Sequence, residues 1–583
     1  MRRCLSFIAP PVSPQRRFFE STLCRFARFR DNLACFHNLL REVPAAERIR
    51  LQKETEAFSS RPLISIVLPM PSDGSRLLPG TVTSVQSQVY PDWQLCIVAA
   101  PDVIAHPGDY GLDTAGDQRV RIVTSPGTGG RDGAIRAGLE SASGEFVTFL
   151  DSGDLLDPRA LTGVARALQA HPEADILYSD EAAIGALGFP SRIWYKPGFS
   201  PDLLLSRPYL GRMLVVRTDK ARPAEGAGND YGDAGEYDLV LRAAAGSQKA
   251  IHIPKVLYYA RGPGAPPSTR TQSGGDGYLR ALREHLQREQ IDGTAEAVGP
   301  GRYRVRRRIR GNPLVSLIIP TKDRVDLLRP CIDSIYARST YADFEVLVID
   351  NQSRESGTRE YFSRSVQEHD SLRVIPYDRP FHPSAIKNAA AIWARGEHLL
   401  FLNNDIEVIS PDWIESLLEH SQRREVACAG AKLLYPNRTI QHAGVVFSPD
   451  GRADHLFRFA LSDSQGGLGG FSSTRNFRAV TGACMIIKRS TFEELGGFDE
   501  AFHVGFGDLD LCMRAHARGY LNVYTPHAEL FHHESASIAG IRAAASRTAD
   551  SAFFLERWRA VLEDGDPYYN PNLPYHGFCL KYR

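Results

Sequence analysis

"PLVSLIIP", residues 313–320, repeats "PLISIVLP", residues 62–69, almost letter for letter. Three further pairs follow in the same order: "YPDWQLCIV" (90–98) with "YADFEVLVI" (341–349), "SGEFVTFLD" (143–151) with "RGEHLLFLN" (395–403), and "EYDLVLR" (236–242) with "DLDLCMR" (508–514). Four ordered matches at near-equal spacing identify two copies of one domain. Each copy opens on a short apolar run rich in Val and Ile and stopped by Pro69 or Pro320, the pattern of a strand buried on both faces. A helical stretch and a second such strand come next. The alternation predicts βαβ units and a doubly wound, mostly parallel α/β sheet in each copy.

A chain of 583 residues exceeds one ordinary core. Its 43% hydrophobic and 23% charged residues are ordinary for a soluble globular protein, and a formal net charge of +1 gives no global field to attract nucleic acid. Nine scattered cysteines without a CxxC pair favour a reducing compartment and argue against a disulfide framework or structural zinc. No apolar run approaches the ~18 residues that a bilayer span takes. Residues 1–40 hold seven arginines against two acids, with Phe19, Leu23, Phe26, Leu33, Phe36 and Leu40 at nearly helical spacing. That pattern suits a helix docked on the first domain, or a basic amphipathic helix on an anionic membrane surface. The start "MRRCLSFIAPPV" is a poor signal peptide, because Pro10 and Pro11 interrupt its short apolar part. These features divide the chain into a basic helical segment (1–60), a first domain (61–260), a junction (261–312) and a second domain (313–583). The junction joins the Gly/Pro/Ser-rich stretch 261–277 to a short helix near 279–290 and the basic strand "RYRVRRRIR".

Ligands of doubly wound sheets bind at the carboxyl ends of the strands. In the second copy those ends carry "VIDNQS", with Asp350 and Asn351, and "FLNND", with Asn403 and Asp405. A carboxylate there can accept from a ribose or base, and closely spaced oxygen side chains can hold a hard divalent cation that a diphosphate completes. Taken singly, each is equally an Asx residue capping a turn. The chain has no GxGxxG; "GTGGRDG" (127–133) is a near miss, which argues against a dinucleotide enzyme.

"PLVSLIIPTKDR", "VLVIDNQS", "AIKNAAA", "GEHLLFLNNDIEV", "GGFDEAFHVGFGDLDLCMRAHARGY" and "HHESAS" together resemble the successive motifs of a family 2 glycosyltransferase. The likeness covers nearly all of 313–540. It implies two tandem GT-A domains, Rossmann-like in layout, and the tandem form resembles bacterial enzymes that build O-antigen and other surface polysaccharides. The implied reaction is inverting transfer from a nucleotide-sugar donor to a glycan or lipid-linked glycan acceptor. The implied place is the cytoplasm, with peripheral contact at the inner membrane. By resemblance Asp350 holds the uracil or ribose, and Asn351, Asn388, Asn403 and Asp405 complete the nucleotide-sugar site. Asp405, Asn403 and His532 would ligate Mn²⁺ or Mg²⁺, with His533 an available neighbour, and Asp508 would be the general base. The family usually places Glu or Asn just before that base; here it is Gly507.

The first copy departs from this set. Equal spacing puts Ala99 and Ala100 opposite Asp350 and Asn351, Arg136 opposite Asn388, Gly153 where an acid usually repeats, and Glu236 opposite Asp508. A domain that keeps its core can lose its grafted site, so the first copy reads as a degenerate, non-catalytic domain. Two alternatives stand beside this one: a bifunctional transferase with two active domains, and a non-catalytic glycan-binding scaffold.

Overall fold

In this computed structural model the described residues are 43–573 and 575, apart from 71–76, 111–115, 126–129, 186–189, 223–230, 232–233, 246–248, 262–274, 463–469 and 534–540. The basic segment 1–42 and most of the Gly/Pro/Ser-rich stretch lie outside them, as do parts of "GTGGRDG" and "HHESAS". The chain forms two compact units, one of Met1–Phe199 and Leu204–Val305, the other of Ser200–Leu203 and Arg306–Arg583.

In the first unit a helix, α1 (Ala45–Glu56), precedes the sheet and is tied down by Arg159 to Glu47 and Arg166 to Glu54. The main path of the nine-stranded sheet runs through β1 (Ile64–Pro69), β2 (Trp93–Ala99), β3 (Val120–Thr124), β4 (Phe146–Phe149), β5 (Leu155–Leu156), β6 (Ile176–Ile184), β7 (Leu214–Arg217) and β8 (Ala250–Arg261), with the strand Pro190–Trp194 added beside β6. Its order is β3-β2-β1-β4-β7-β6-β8-β5. Three helices matter below: α2 (Gly130–Ser141), α3 (Gly235–Ala244) and α4 (Gly275–Arg288). The helix α4 buries Tyr278, Ala281, Leu282 and Leu286. A hairpin of β9 (Gly293–Gly299) and β10 (Arg302–Arg307) follows, turning Tyr303 and Val305 inward between half-buried arginines.

The second unit repeats the plan with β11 (Val315–Thr321), β12 (Phe344–Asp350), β13 (Leu372–Pro376), β14 (His398–Leu402), β15 (Ile406–Val408), β16 (Val426–Leu434), β17 (Cys484–Lys488) and β18 (Leu521–His532). Its order is β13-β12-β11-β14-β17-β16-β18-β15, the same permutation as in the first unit. The first four strands of each order run parallel; beyond them the sheet is mixed, with β17 antiparallel to both β14 and β16. The helices α5 (Pro383–Trp393), α6 (Gly507–Ala517) and α7 (Ile541–Glu563) complete the parts needed here.

The unbroken apolar runs have a direct cause. Along β11, Leu317 and Ile319 enter one core while Ile318 enters another; along β12, Val346 and Val348 separate from Leu347 and Ile349 in the same way. Both faces of the central strands are covered, so neither can be polar. The repeated serine and glycine are also explained. Gly396 N donates to Ser316 Oγ (2.8 Å), and a Cβ at Gly396 would stand 2.5 Å from the Leu314 carbonyl oxygen. Gly144 and Ser65 make the same latch at 2.9 Å.

Candidate active site

The strand order reverses beside β11, and its carboxyl end gathers residues from both neighbours. On one side Asp350 closes β12 in register with Thr321, and its Oδ1 accepts from Ser353 N (2.9 Å). On the other side β14 runs out into Asn403, Asn404 and Asp405. Asn404 Nδ2 donates to Thr321 Oγ1 (3.0 Å), fixing that turn to the end of β11. The crevice at this switch point is where a doubly wound sheet receives its ligand.

The short strand β15 then pairs with the far end of β18, placing Ile406 opposite His532. That pairing brings His532 Nε2 to 3.3 Å from Asp405 Oδ1 and 3.4 Å from Asn403 Nδ2. Asp405 and His532 are 3% and 6% exposed, yet Asp405 Oδ1 receives no hydrogen bond. A buried carboxylate oxygen without a donor, beside an imidazole, fits a divalent cation. Among the described residues no group of three or more His, Cys, Asp or Glu side chains forms a cage. A cation held by Asp405, Asn403 and His532 would therefore take its remaining oxygens from a diphosphate and water, as Mg²⁺ sites commonly do. His533 turns elsewhere, 3.6 Å from Glu407.

Asp508 stands in the first turn of α6, where the helix dipole favours an anion. Its Oδ2 accepts from Gly482 N (2.6 Å) and its Oδ1 from Leu509 N (2.9 Å). Gly507 has a steric reason: a Cβ there would meet Ser384 Oγ at 2.8 Å, and in the first unit a Cβ at Gly235 would likewise strike Asp132. A larger side chain at either position would have to displace the Ser384 hydroxyl or the Asp132 carboxylate. Asp510, two residues on, is fully buried and engaged by Arg514 Nε (2.7 Å), Arg557 Nη1 (2.9 Å) and Trp558 Nε1 (3.0 Å).

Two residues expected to touch the nucleotide also brace the crevice, and Asn351 Oδ1 stays without a hydrogen-bond partner. Asn351 is buried and donates to the carbonyls of Arg379 (2.8 Å) and Tyr377 (3.2 Å). Asn388 Nδ2 donates to Phe498 O (2.8 Å) and its Oδ1 accepts from Phe498 N (2.9 Å), anchoring the loop that leads to Asp508. The residue before it, Lys387, was not expected to matter. A Cβ built on Gly482 would lie 3.3 Å from Lys387 Nζ and 3.2 Å from Asp508 Oδ2, so ammonium and carboxylate flank one glycine. Burial pushes the Lys387 pKa below its ordinary value, and Asp508 opposes that shift. Ser384 and Lys387 are three apart in "PSAIKNAA", a helical spacing that could have shown their shared face. His442 was also missed. It is fully buried and held neutral, donating to Ala431 O (3.0 Å) while accepting from Gly444 N (3.2 Å) and Thr481 N (3.3 Å), which sets the turn before Gly482.

The corresponding crevice of the first unit is filled by its own side chains. Ala99 ends β2 as Asp350 ends β12, and β5 pairs with β8 one step beyond a point that sets Ala260 where β18 has His532. Arg131 Nη2 bridges Asp151 Oδ1 (2.7 Å) and Glu236 Oε1 (2.6 Å), the positions opposite Asn403 and Asp508. Asp154 is buried, accepting from Tyr258 OH (2.8 Å) and Arg261 N (2.7 Å), with Arg212 Nε 3.6 Å away. Burial raises its pKa above the ordinary carboxylate range.

Two tandem α/β units of one strand permutation, each with a crevice at its switch point, define the class by fold. The model of glycosyl transferase family 2 matches residues 65–200 and 316–496, and the chain belongs to that family. It is 40% identical over 532 residues to the O-antigen biosynthesis protein RfbC of Myxococcus xanthus, covering 90% of this chain and 41% of that protein. It is 38% identical over 541 residues to protein y4gI of Sinorhizobium fredii, covering 90% of this chain and 59% of that protein. The chain thus spans only 41% and 59% of these relatives' lengths. Among solved structures, GalNAc-T7 with UDP, GalNAc and Mn²⁺ overlaps 43% of this chain and 50% of its own, at a TM-score of 0.35 and 15% identity.

Proposed function

We propose that the chain is an inverting glycosyltransferase that moves a sugar from a nucleotide-sugar to a growing bacterial surface glycan, with its chemistry in the second unit. The observation that carries this reading is the donorless Oδ1 of Asp405 beside His532, across the end of β11 from Asp350. The relative named for O-antigen biosynthesis supplies the glycan context.

In this reading Asp350 accepts from the ribose or base, and Asp405, Asn403 and His532 hold a divalent cation, Mn²⁺ or Mg²⁺. When bound, such a cation neutralises charge on the leaving diphosphate. Asp508 takes the proton from an acceptor hydroxyl; the oxygen bonds to the anomeric carbon as the carbon–phosphate-oxygen bond breaks, and the nucleoside diphosphate departs with its electrons. The amide of Gly482 keeps the base oriented, and Lys387 places a positive charge beside it. Asn351 and Asn388 complete the nucleotide-sugar site while their amides hold its walls. The catalytic region lies within 313–583 and 61–260 is its degenerate counterpart, because Arg131 and Arg212 stand on the acids that the first crevice keeps. No helix among the described residues is long and apolar enough to cross a membrane. We place the protein in the cytoplasm, peripheral to the inner membrane where a lipid-linked acceptor would be met; salt-resistant retention in a membrane pellet would contradict this.

The test is a panel of nucleotide-sugars scored for release of the nucleotide with and without chelator. Release should require the cation and vanish in Asp405→Ala while the fold persists. Full turnover in chelated enzyme would remove the metal from the reading.

A further inference from the structure

The helix α7 carries one buried stripe at helical spacing: Asp550, Phe554, Trp558 and Leu562. Its apolar members are core; Phe554, for one, lies against Phe502 and Phe506, with ring centroids 6.4 and 5.2 Å apart. The carboxylate in the stripe has a different task. Asp550 is 2% exposed, and its two oxygens accept from three consecutive backbone amides: Oδ1 from His503 N (3.1 Å), Oδ2 from Val504 N (2.7 Å) and Gly505 N (2.9 Å). Successive amides converging on an anion form a nest, and here the anion is a side chain of the protein itself. Charge-assisted bonds of this kind are short and directional, and a carboxylate out of water requires them. Loop and carboxylate therefore fix each other.

The loop so held is the approach to Asp508. Phe506 follows it with a φ of 65°, Gly507 fits against Ser384, and Asp508 opens α6. On the other side of the same turn, α7 holds Asp510 through Arg557 Nη1 and Trp558 Nε1. Asp508 thus stands between two stretches of backbone that one helix grips, the first of them 45 to 47 residues from Asp550 in the chain. We propose that Asp550 is a positioning residue for the reaction, its carboxylate holding 503–505 so that Asp508 stays against the Gly482 amide in the place from which it takes the acceptor's proton. The proposal rests on Asp508 being the base in the reading above. Buried as it is, Asp550 acts through the loop and not on donor or acceptor.

The experiment is a double-mutant cycle on the full chain. It reads nucleotide release from the donor that the panel identifies, and binding of the matching nucleoside diphosphate with Mn²⁺ by calorimetry. Asp550→Ala should lower kcat about tenfold or more, since a misplacement of about 1 Å can cost ~10²-fold; nucleotide affinity should stay within about twofold, because only the transition state uses the base. Asp550→Asn, which keeps one oxygen for Val504 N and Gly505 N, should fall between parent and Asp550→Ala. In the Asp508→Asn background Asp550→Ala should cost little more, because a residue that acts through the base has no further effect once the base is gone. If Asp550→Ala does not melt cooperatively, Asp550→Asn takes its place in the cycle. Equal losses in both backgrounds, a fall in nucleotide affinity matching the fall in kcat, or parent-like kcat in Asp550→Ala would overturn the proposal. Near-normal turnover in Asp508→Asn alone would remove the base and this proposal with it, whereas a slow Asp508→Asn beside a parent-like Asp550→Ala removes the proposal alone.

Discussion

Asp508 stands in the first turn of α6 with two backbone amides, Gly482 N and Leu509 N, aiming its carboxylate, the setting that the proposed general base calls for. Asp508→Asn should lower turnover by at least ~10²-fold with nucleotide binding little changed, measured as kcat against donor affinity. Near-normal turnover would move the base elsewhere, and Asp510 is not available because three donors already hold it. A second residue gives the unit a pH response. His398, at the start of β14, is buried against Ser421 Oγ (2.8 Å), and burial followed by the Lys488 charge lowers its pKa to about 4. The unfolded chain binds this proton near the ordinary histidine value of about 6.5. Stability is therefore full above that value and declines as pH falls from there towards the folded value. At pH 5 the loss from this one group is about 2 kcal/mol. Urea midpoints at pH 7 and pH 5, followed by tryptophan fluorescence, should sit closer together in His398→Leu than in the parent; an unchanged gap would clear His398 of the effect.

At the scale of the elements, α5 and α6 meet where Gly507 approaches Ser384, and that contact decides how Asp508 is presented. Gly507→Ala would overpack the crossing, at a cost of roughly 1–3 kcal/mol, and should reduce turnover by pushing the first turn of α6 outward. Removing the obstructing hydroxyl in Gly507→Ala/Ser384→Ala should restore part of it. Two variants with equal kcat would mean that the crossing does not govern the base. The strands that frame this contact were legible in the sequence, because burial on both faces forces an unbroken apolar run and repetition exposes its register. Asp350, Asp405, His532 and Asp508 also surfaced from motifs at strand and helix ends. Lys387 and His442 did not, since one looks like any helix lysine and the other's partners are backbone groups far along the chain. Asn351 and Asn388 show the converse: at the right strand and helix, their amide N–H groups are also tied to carbonyls of neighbouring loops, which no motif displays. Only the folded chain shows where a polar side chain has spent its capacity.

For the whole molecule, the repeat poses a question that its two crevices answer differently. Both units have the same strand permutation and the same serine–glycine latch, so the core has been kept. The differences fall on side chains at the crevice: Asp350 against Ala99, Asp405 against Gly153, His532 against Ala260. What remains in the first crevice is bound by Arg131, whose guanidinium reaches two carboxylates at once. A nucleotide entering there would lose charge-assisted hydrogen bonds worth ~1.5–3 kcal/mol each, about one to two decades of affinity per bond. A cation would have to displace an arginine already in place. The expected outcome is that Asp151→Ala/Asp154→Ala leaves metal-dependent donor turnover close to that of the parent chain, while Asp405→Ala abolishes it. Because Asp154 accepts from Tyr258 and Arg261 inside the fold, the double variant should still lower the melting temperature, and that shift separates a structural loss from a catalytic one. If both variants lose turnover while still unfolding cooperatively above the assay temperature, both crevices are catalytic, and the asymmetry drawn from Arg131 does not hold.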